Sequence, residues 1–226
     1  PISLIGTRAS STLVSNQAGS VFSAQASTVQ IYGLGLRGPI SSEGETGLLP
    51  ALAMQGAAVL TLAQSSIESR GGHGIVANRS SDNPDTGETG NVSMSGVPFG
   101  EIAGSAIKAV LASGSWSLQG GRMQGPIGRH GLSFLGGNAS VSVSDSEFLT
   151  LTLDAMHATD VLGSWTIDCN PFRGPIGGDG ISFAGTGAQS TISITRNEFE
   201  SIGGNAISAQ DSLGSWTVDC NPFRGP

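Results

Sequence analysis

Three groups of residues in this chain are of types that could do chemistry. Asp168 and Asp219 stand in two copies of one phrase, DCNPFRGP, separated by 51 residues. Paired carboxylates roughly 6.5–9.5 Å apart are what inverting glycoside hydrolysis needs, one to protonate the leaving oxygen and one to activate water. His73 stands between two glycines in Gly72-His73-Gly74, and histidine is a common general acid or base. On an acidic stretch, RSSDNPDTGETG, Asp82, Asp85 and Glu88 could supply oxygen ligands to calcium. His130 and His157 stand isolated, and no zinc spacing, phosphate loop or nucleophile elbow is present.

What could bring such residues together is a beat in the apolar pattern. Ile31, Leu62, Met94, Leu118, Val143, Ile167, Ile194 and Val218 are each followed, five positions on, by Leu36, Ile67, Phe99, Met123, Phe148, Phe172, Phe199 and Phe223. Successive partners are spaced by 31, 32, 24, 25, 24, 27 and 24 residues, and spacings in this range mean a stacked array. An apolar residue also sits two before each strand residue, as in Val29, Trp116, Trp165 and Trp216, the alternation of a strand with one buried face. A third apolar site follows eight or nine residues past the partner, introduced by glycine in GGHGI, RHGL and GGDGI. Hairpin signals are scarce, which disfavours propeller blades. The pattern predicts an all-β chain, a parallel β-helix of about eight to nine rungs with three short strands each.

Parallel stacking sets like residues above one another about 4.8 Å apart. Asn170, Asn197 and Asn221 share a column; asparagine tolerates a left-handed bend, and its amide can donate to and accept from its neighbours. Phe148, Phe172, Phe199 and Phe223 should stack beneath as part of the same structural ladder. Cys169 and Cys220 lie two rungs apart, about 9.6 Å, beyond disulfide reach, and are expected to be free thiols. Asp168 and Asp219 share that separation, with Thr195 between them, and the expectation is a surface pair. His73 falls where other turns carry Ser105, Arg129, Asp179 or Asn205, the place of an ordinary corner residue. Glu200 is expected between Arg173 and Arg224 in an outward charge ladder.

The pattern of strand, Asn-x-Phe and Gly-x-Ala/Gly-Ile, from about Thr28 to Phe223, resembles the right-handed parallel β-helix repeat of the pectin-lyase-like superfamily. That resemblance implies the right-handed coil. Its functions range over polysaccharide lyases and hydrolases, phage tailspikes, and bacterial surface passengers and adhesins. Gly72-His73-Gly74 also resembles a polygalacturonase phrase, although the companion phrases Asn-Thr-Asp, Asp-Asp and Arg-Ile-Lys are absent. The Gly-Gly-x-Ala-Ile phrase is similar to polymorphic outer-membrane passenger repeats, whose companion Phe-x-x-Asn is replaced here by Asn-x-Phe.

Residues 1–27 keep the composition without the beat, and are expected to form an irregular first rung or cap. Residues 28–226 form the coil, with acidic insertions at 41–47 and 79–90 projecting from it. The last rung stops in mid-turn, so the coil is expected to continue beyond 226 or to be covered by a partner. The net charge of −7 and a single lysine, Lys108, disfavour nucleic acid as a partner. No apolar run is long enough to cross a bilayer. The acceptor sequons at Asn78, Asn91 and Asn138 are about as many as this Ser- and Thr-rich composition gives by chance. Alternate rungs are nearly identical, with Trp116, Trp165 and Trp216 spaced by 49 and 51, so the duplicated unit is two rungs. A scaffold whose length matters suits that history better than a unique groove.

These features lead to an expected extracellular or cell-surface structural or adhesive β-helix, a segment of a longer passenger, adhesin or filament. Its expected partners are copies of itself or another surface protein at the open terminal rungs, with carbohydrate as a further ligand. No cofactor is required, calcium being the one candidate. A polysaccharide lyase, glycoside hydrolase or tailspike is the alternative.

Overall fold

The computed structural model describes residues 2–6, 12–14, 22–25, 28–38, 50–56, 58–78 and 90–225. Asp82, Asp85 and Glu88, and the insertion at 41–47, lie outside the described residues.

Three parallel sheets wind around one apolar core, with nine, nine and eight strands. The first runs from Ile2–Ile5 to Ser215–Asp219, the second from Thr12–Val14 to Phe223–Arg224, and the third from Phe22–Gln25 to Ile207–Gln210. Strands in each sheet come from every third element along the chain, so each strand is hydrogen-bonded only to its counterparts one turn away. The result is a parallel β-solenoid, with no helix among the described residues.

The five-residue beat is the step from the first sheet to the second. Ile31 pairs with Leu62, and Leu36 with Ile67; the register holds rung by rung to Ile194 with Val218 and Phe199 with Phe223. Alternation does the sorting: Val29 and Ile31 point inward at 0% and 1% exposure between outward Thr28, Gln30 and Tyr32. Residues 2–5, 12–14 and 22–25 carry one strand of each sheet, with Leu4 paired to Ile31, Leu13 to Leu36 and Phe22 to Leu52. Leu4 and Leu13 are nine positions apart rather than five, so a longer first turn hides the beat there.

The bend between these two sheets uses a left-handed residue on every rung from the second onward: Gly33, Gln64, Gly96, Gly120, Asp145, Cys169, Arg196 and Cys220 all have φ between 48° and 65°. The asparagine position expected to supply that conformation is the next one along. The residue ahead takes the left-handed turn, and the asparagine side chain is thereby swung into the core.

Bulky aromatics alternate along the interior. Phe134 sits edge-on between Trp116 and Trp165, at 5.3 and 5.0 Å, and Phe183 sits between Trp165 and Trp216, at 5.2 and 5.3 Å. The intervening rungs carry Val141 with Ala158 and Ile192 with Ala209 at the matching positions. A rung with two large rings leaves no room for the same on its neighbour, which gives the two-rung duplication a packing reason.

Candidate functional site

The asparagines form a continuous hydrogen-bonded ladder. Each accepts from the rung before: Ser146 N–H donates to Asn170 Oδ1 at 2.9 Å, Asn170 N–H to Asn197 Oδ1 at 3.0 Å, and Asn197 N–H to Asn221 Oδ1 at 2.9 Å. Each amide nitrogen also donates back to a strand carbonyl, Asn170 to Val143, Asn197 to Ile167 and Asn221 to Ile194, all at 2.9 Å. The left-handed bend withdraws these backbone groups from ordinary sheet pairing, and the side chain replaces the missing partners. Asn170 and Asn197 are fully buried. Beside them Phe148, Phe172, Phe199 and Phe223 stack with near-parallel rings, 4.7, 4.7 and 5.3 Å between centroids.

Of the two candidate catalytic carboxylates, Asp168 is otherwise engaged. Asp168 receives hydrogen bonds from Arg196 and from Thr195 Oγ1; the Arg196 guanidinium, with Thr195, holds its carboxyl below the usual range. In the charge ladder, the carboxylate meeting both Arg173 and Arg224 is Glu198, not Glu200. Residues one before and one after each phenylalanine both face outward, so an arginine on one side can reach a glutamate on the other side of the next rung. Cys169 and Cys220 are free.

His73 is a corner residue with its own constraint. Ser105 N–H donates to its Nδ1 at 2.9 Å, a bond only the unprotonated nitrogen can accept. Burial, aided by the charges of Lys108 and Arg129, lowers its pKa to about 4.

The cluster that sequence reasoning missed is His130, Asp154 and His157. Strand Leu132–Gly137 pairs Leu132 with Met156 of strand Met156–Val161. His130 and Asp154, each two residues earlier, therefore occupy one corner on successive rungs. From Pro50 on, the column reads Pro50, His73, Ser105, His130, Asp154, Asp179, Asn205, so the expected Arg129 was one residue out. His157 lies outward on the strand just beyond. The two histidines read as isolated are in ring contact, centroids 4.6 Å apart and 22° from parallel. The signal for His130 was the glycine after it: His73-Gly74-Ile75 and His130-Gly131-Leu132 align directly. A Cβ at Gly131 would meet Ala155 O at 2.5 Å, so the glycine marks the register.

Both imidazoles present Nδ1 to one oxygen. Asp154 Oδ2 lies 2.9 Å from His157 Nδ1 and 3.5 Å from His130 Nδ1. Asp154 Oδ1 accepts the Asp179 N–H at 2.8 Å, over Gly178, where a Cβ would fall 2.3 Å from that oxygen. His157 Nε2 is 3.0 Å from Thr159 Oγ1. His130 Nδ1 is buried without a hydrogen-bond partner. Burial, then the neighbouring His157, lower the His130 pKa and favour its neutral form. Burial works to raise the Asp154 carboxyl, but the His157 hydrogen bond, the Asp179 N–H and the imidazole charges outweigh it and hold it low.

A second surface feature is a cleft of about 510 Å³ lined by Tyr32, Gln64, Ser65, Ser66 and Pro98 among others. Tyr32 donates its hydroxyl to Gln64 Oε1 at 2.7 Å. An exposed ring, an amide and hydroxyls suit contact with a polar ligand, and the cleft's lining holds no carboxylate or histidine for acid–base work.

No protein-family model, no curated protein and no solved structure matches this chain. No helix among the described residues is long and apolar enough to cross a membrane.

Proposed function

We propose that the chain is a structural or adhesive rod, a segment of an extracellular or cell-surface β-helix of the passenger, adhesin or filament kind. One observation carries this reading: six of the seven arginines among the described residues pair with a carboxylate on a neighbouring rung rather than line a groove. Arg37 pairs with Glu68, Arg70 with Glu101, Arg122 with Glu147, Arg196 with Asp168, and both Arg173 and Arg224 with Glu198. Glycosidic hydrolysis needs one carboxyl raised to act as acid beside one left ionised. Asp154, Asp168 and Glu198, whose carboxyls shift, all shift downward.

The coil and the Asn-x-Phe repeat support placing the chain with the pectin-lyase-like architecture. The Tyr32 cleft offers a place for carbohydrate contact, and the stacking columns would accept a further rung from the same chain or from another. Labelling of intact source cells with an antibody to the rod, with imaging of the native material, tests the reading. Surface label on extended assemblies is the expected result. Chain cleavage of acidic polysaccharides by the purified protein, or label seen only after permeabilisation, would overturn it.

A further inference from the structure

We propose that His130, Asp154 and His157 bind one divalent transition-metal ion through His130 Nδ1, His157 Nδ1 and Asp154 Oδ2, with zinc as the fitting probe. The inference is independent of the rod reading, because it rests on one corner of the third sheet.

The donor atoms of the three residues lie within 4.8 Å of one another. Zinc bonds of about 2.0–2.1 Å in a tetrahedral arrangement set donors about 3.3 Å apart, so small side-chain rotations close the set. Two imidazoles and a carboxylate suit a borderline-soft cation. Without an ion the corner is poorly satisfied. One proton shared between His157 Nδ1 and Asp154 Oδ2 serves that pair, and His130 Nδ1, 3.5 Å from the same oxygen, remains buried without a hydrogen-bond partner. A cation at the point of convergence would serve all three.

The surroundings hold the donors in place as outer partners of metal ligands do. Asp154 Oδ1 is tied to the Asp179 N–H, which turns Oδ2 toward the rings. Thr159 Oγ1 can accept a hydrogen bond from a His157 Nε2–H, the tautomer that leaves Nδ1 free to bind. At three other places in this column a side chain accepts the next rung's N–H: His73 from Ser105, Asp154 from Asp179, Asp179 from Asn205. His130 Nδ1 departs from that pattern and faces the carboxylate instead. Arg129 contributes an opposing charge and Asp154 a negative one. The side chains of His130, Asp154 and His157 are 18%, 17% and 27% exposed, so a fourth tetrahedral position is open to water.

Calorimetric titration of the purified, tag-free full chain with zinc, after dialysis against a chelator, tests the proposal. The expected result is one saturable equivalent and a raised Tm, with two imidazoles in the zinc X-ray absorption spectrum. Asp154→Asn keeps the acceptor for the Asp179 N–H, and His157→Gln is exposed enough to fold; each should abolish that equivalent with an unchanged circular dichroism spectrum. Thr159→Val should weaken binding about tenfold, and His73→Asn should leave it unchanged. Absence of a saturable equivalent, or undiminished binding in a His130→Asn/His157→Gln chain, would overturn the proposal.

Discussion

At the scale of single residues, buried polar groups in this coil replace backbone partners that the bends remove. Asn170 illustrates the magnitude, since its loss strands the Ser146 N–H and the Val143 carbonyl. Each unsatisfied buried group costs about 1–3 kcal/mol, so Asn170→Ala should destabilise by about 3 kcal/mol in chemical denaturation. Asn170→Ser should cost clearly less, because Ser65 and Ser146 fill the same column and accept the Leu34 and Gly121 N–H groups. His73 makes a prediction with a sign. Its pKa of about 4 lies below the ordinary 6.5, so the unfolded chain takes up its proton first as the solution is acidified. Stability from this residue is complete above pH 6.5, falls as pH drops toward 4, and then levels. A series of denaturation curves across that window should show the slope, and His73→Asn should flatten it. The asparagine and phenylalanine columns were legible in the sequence because identical residues recur at a fixed offset. The His130 cluster was not, because its members are chemically different and meet only when the register is known to the residue.

At the scale of the strand and the rung, alternation carries the information. Inward Val29, Ile31 and Leu36 could be read from period two and the five-residue step. The first rung escaped because Leu4 and Leu13 are nine residues apart. What the pattern in sequence left unexplained was why rungs repeat in pairs. Phe134 and Phe183, edge-on between successive tryptophans, supply the reason, with Ala158 and Ala209 leaving the space. The same period appears at the third-sheet corner, where Gly74, Gly131 and Gly180 lie against the carbonyls of Ala106, Ala155 and Ala206 at 2.5, 2.5 and 2.6 Å from a built Cβ. Both sides of the coil keep a two-rung period, so the stable building block is a rung and its complement.

For the whole molecule this sets a parity rule on length. Removing residues 165–215 takes out two rungs and places the Trp216 rung on the Val141 rung, a combination of the kind already present. Removing residues 141–164 takes out one and sets Trp165 against Trp116 and Phe183 against Phe134. Overpacking of this sort costs about 1–3 kcal/mol per site, so the two-rung deletion should keep a cooperative melt and the one-rung deletion should lose several degrees of Tm or cooperativity. Differential scanning calorimetry distinguishes them. Parallel β-coil and rung count were legible from spacing alone, whereas the pairing of Arg173 and Arg224 with Glu198 depended on how far side chains reach across neighbouring rungs.

The three stacked sheets also decide how the molecule would respond to force. Every backbone hydrogen bond between rungs points along the rod, so a pull on its ends loads them in opening rather than in shear. The rungs would unspool singly, like coils leaving a reel. A 24-residue rung occupies about 4.8 Å of the folded rod but reaches about 80 Å when drawn straight. Yielding in such steps would make the coil a shock-absorbing tether, lengthening more than tenfold for each turn released.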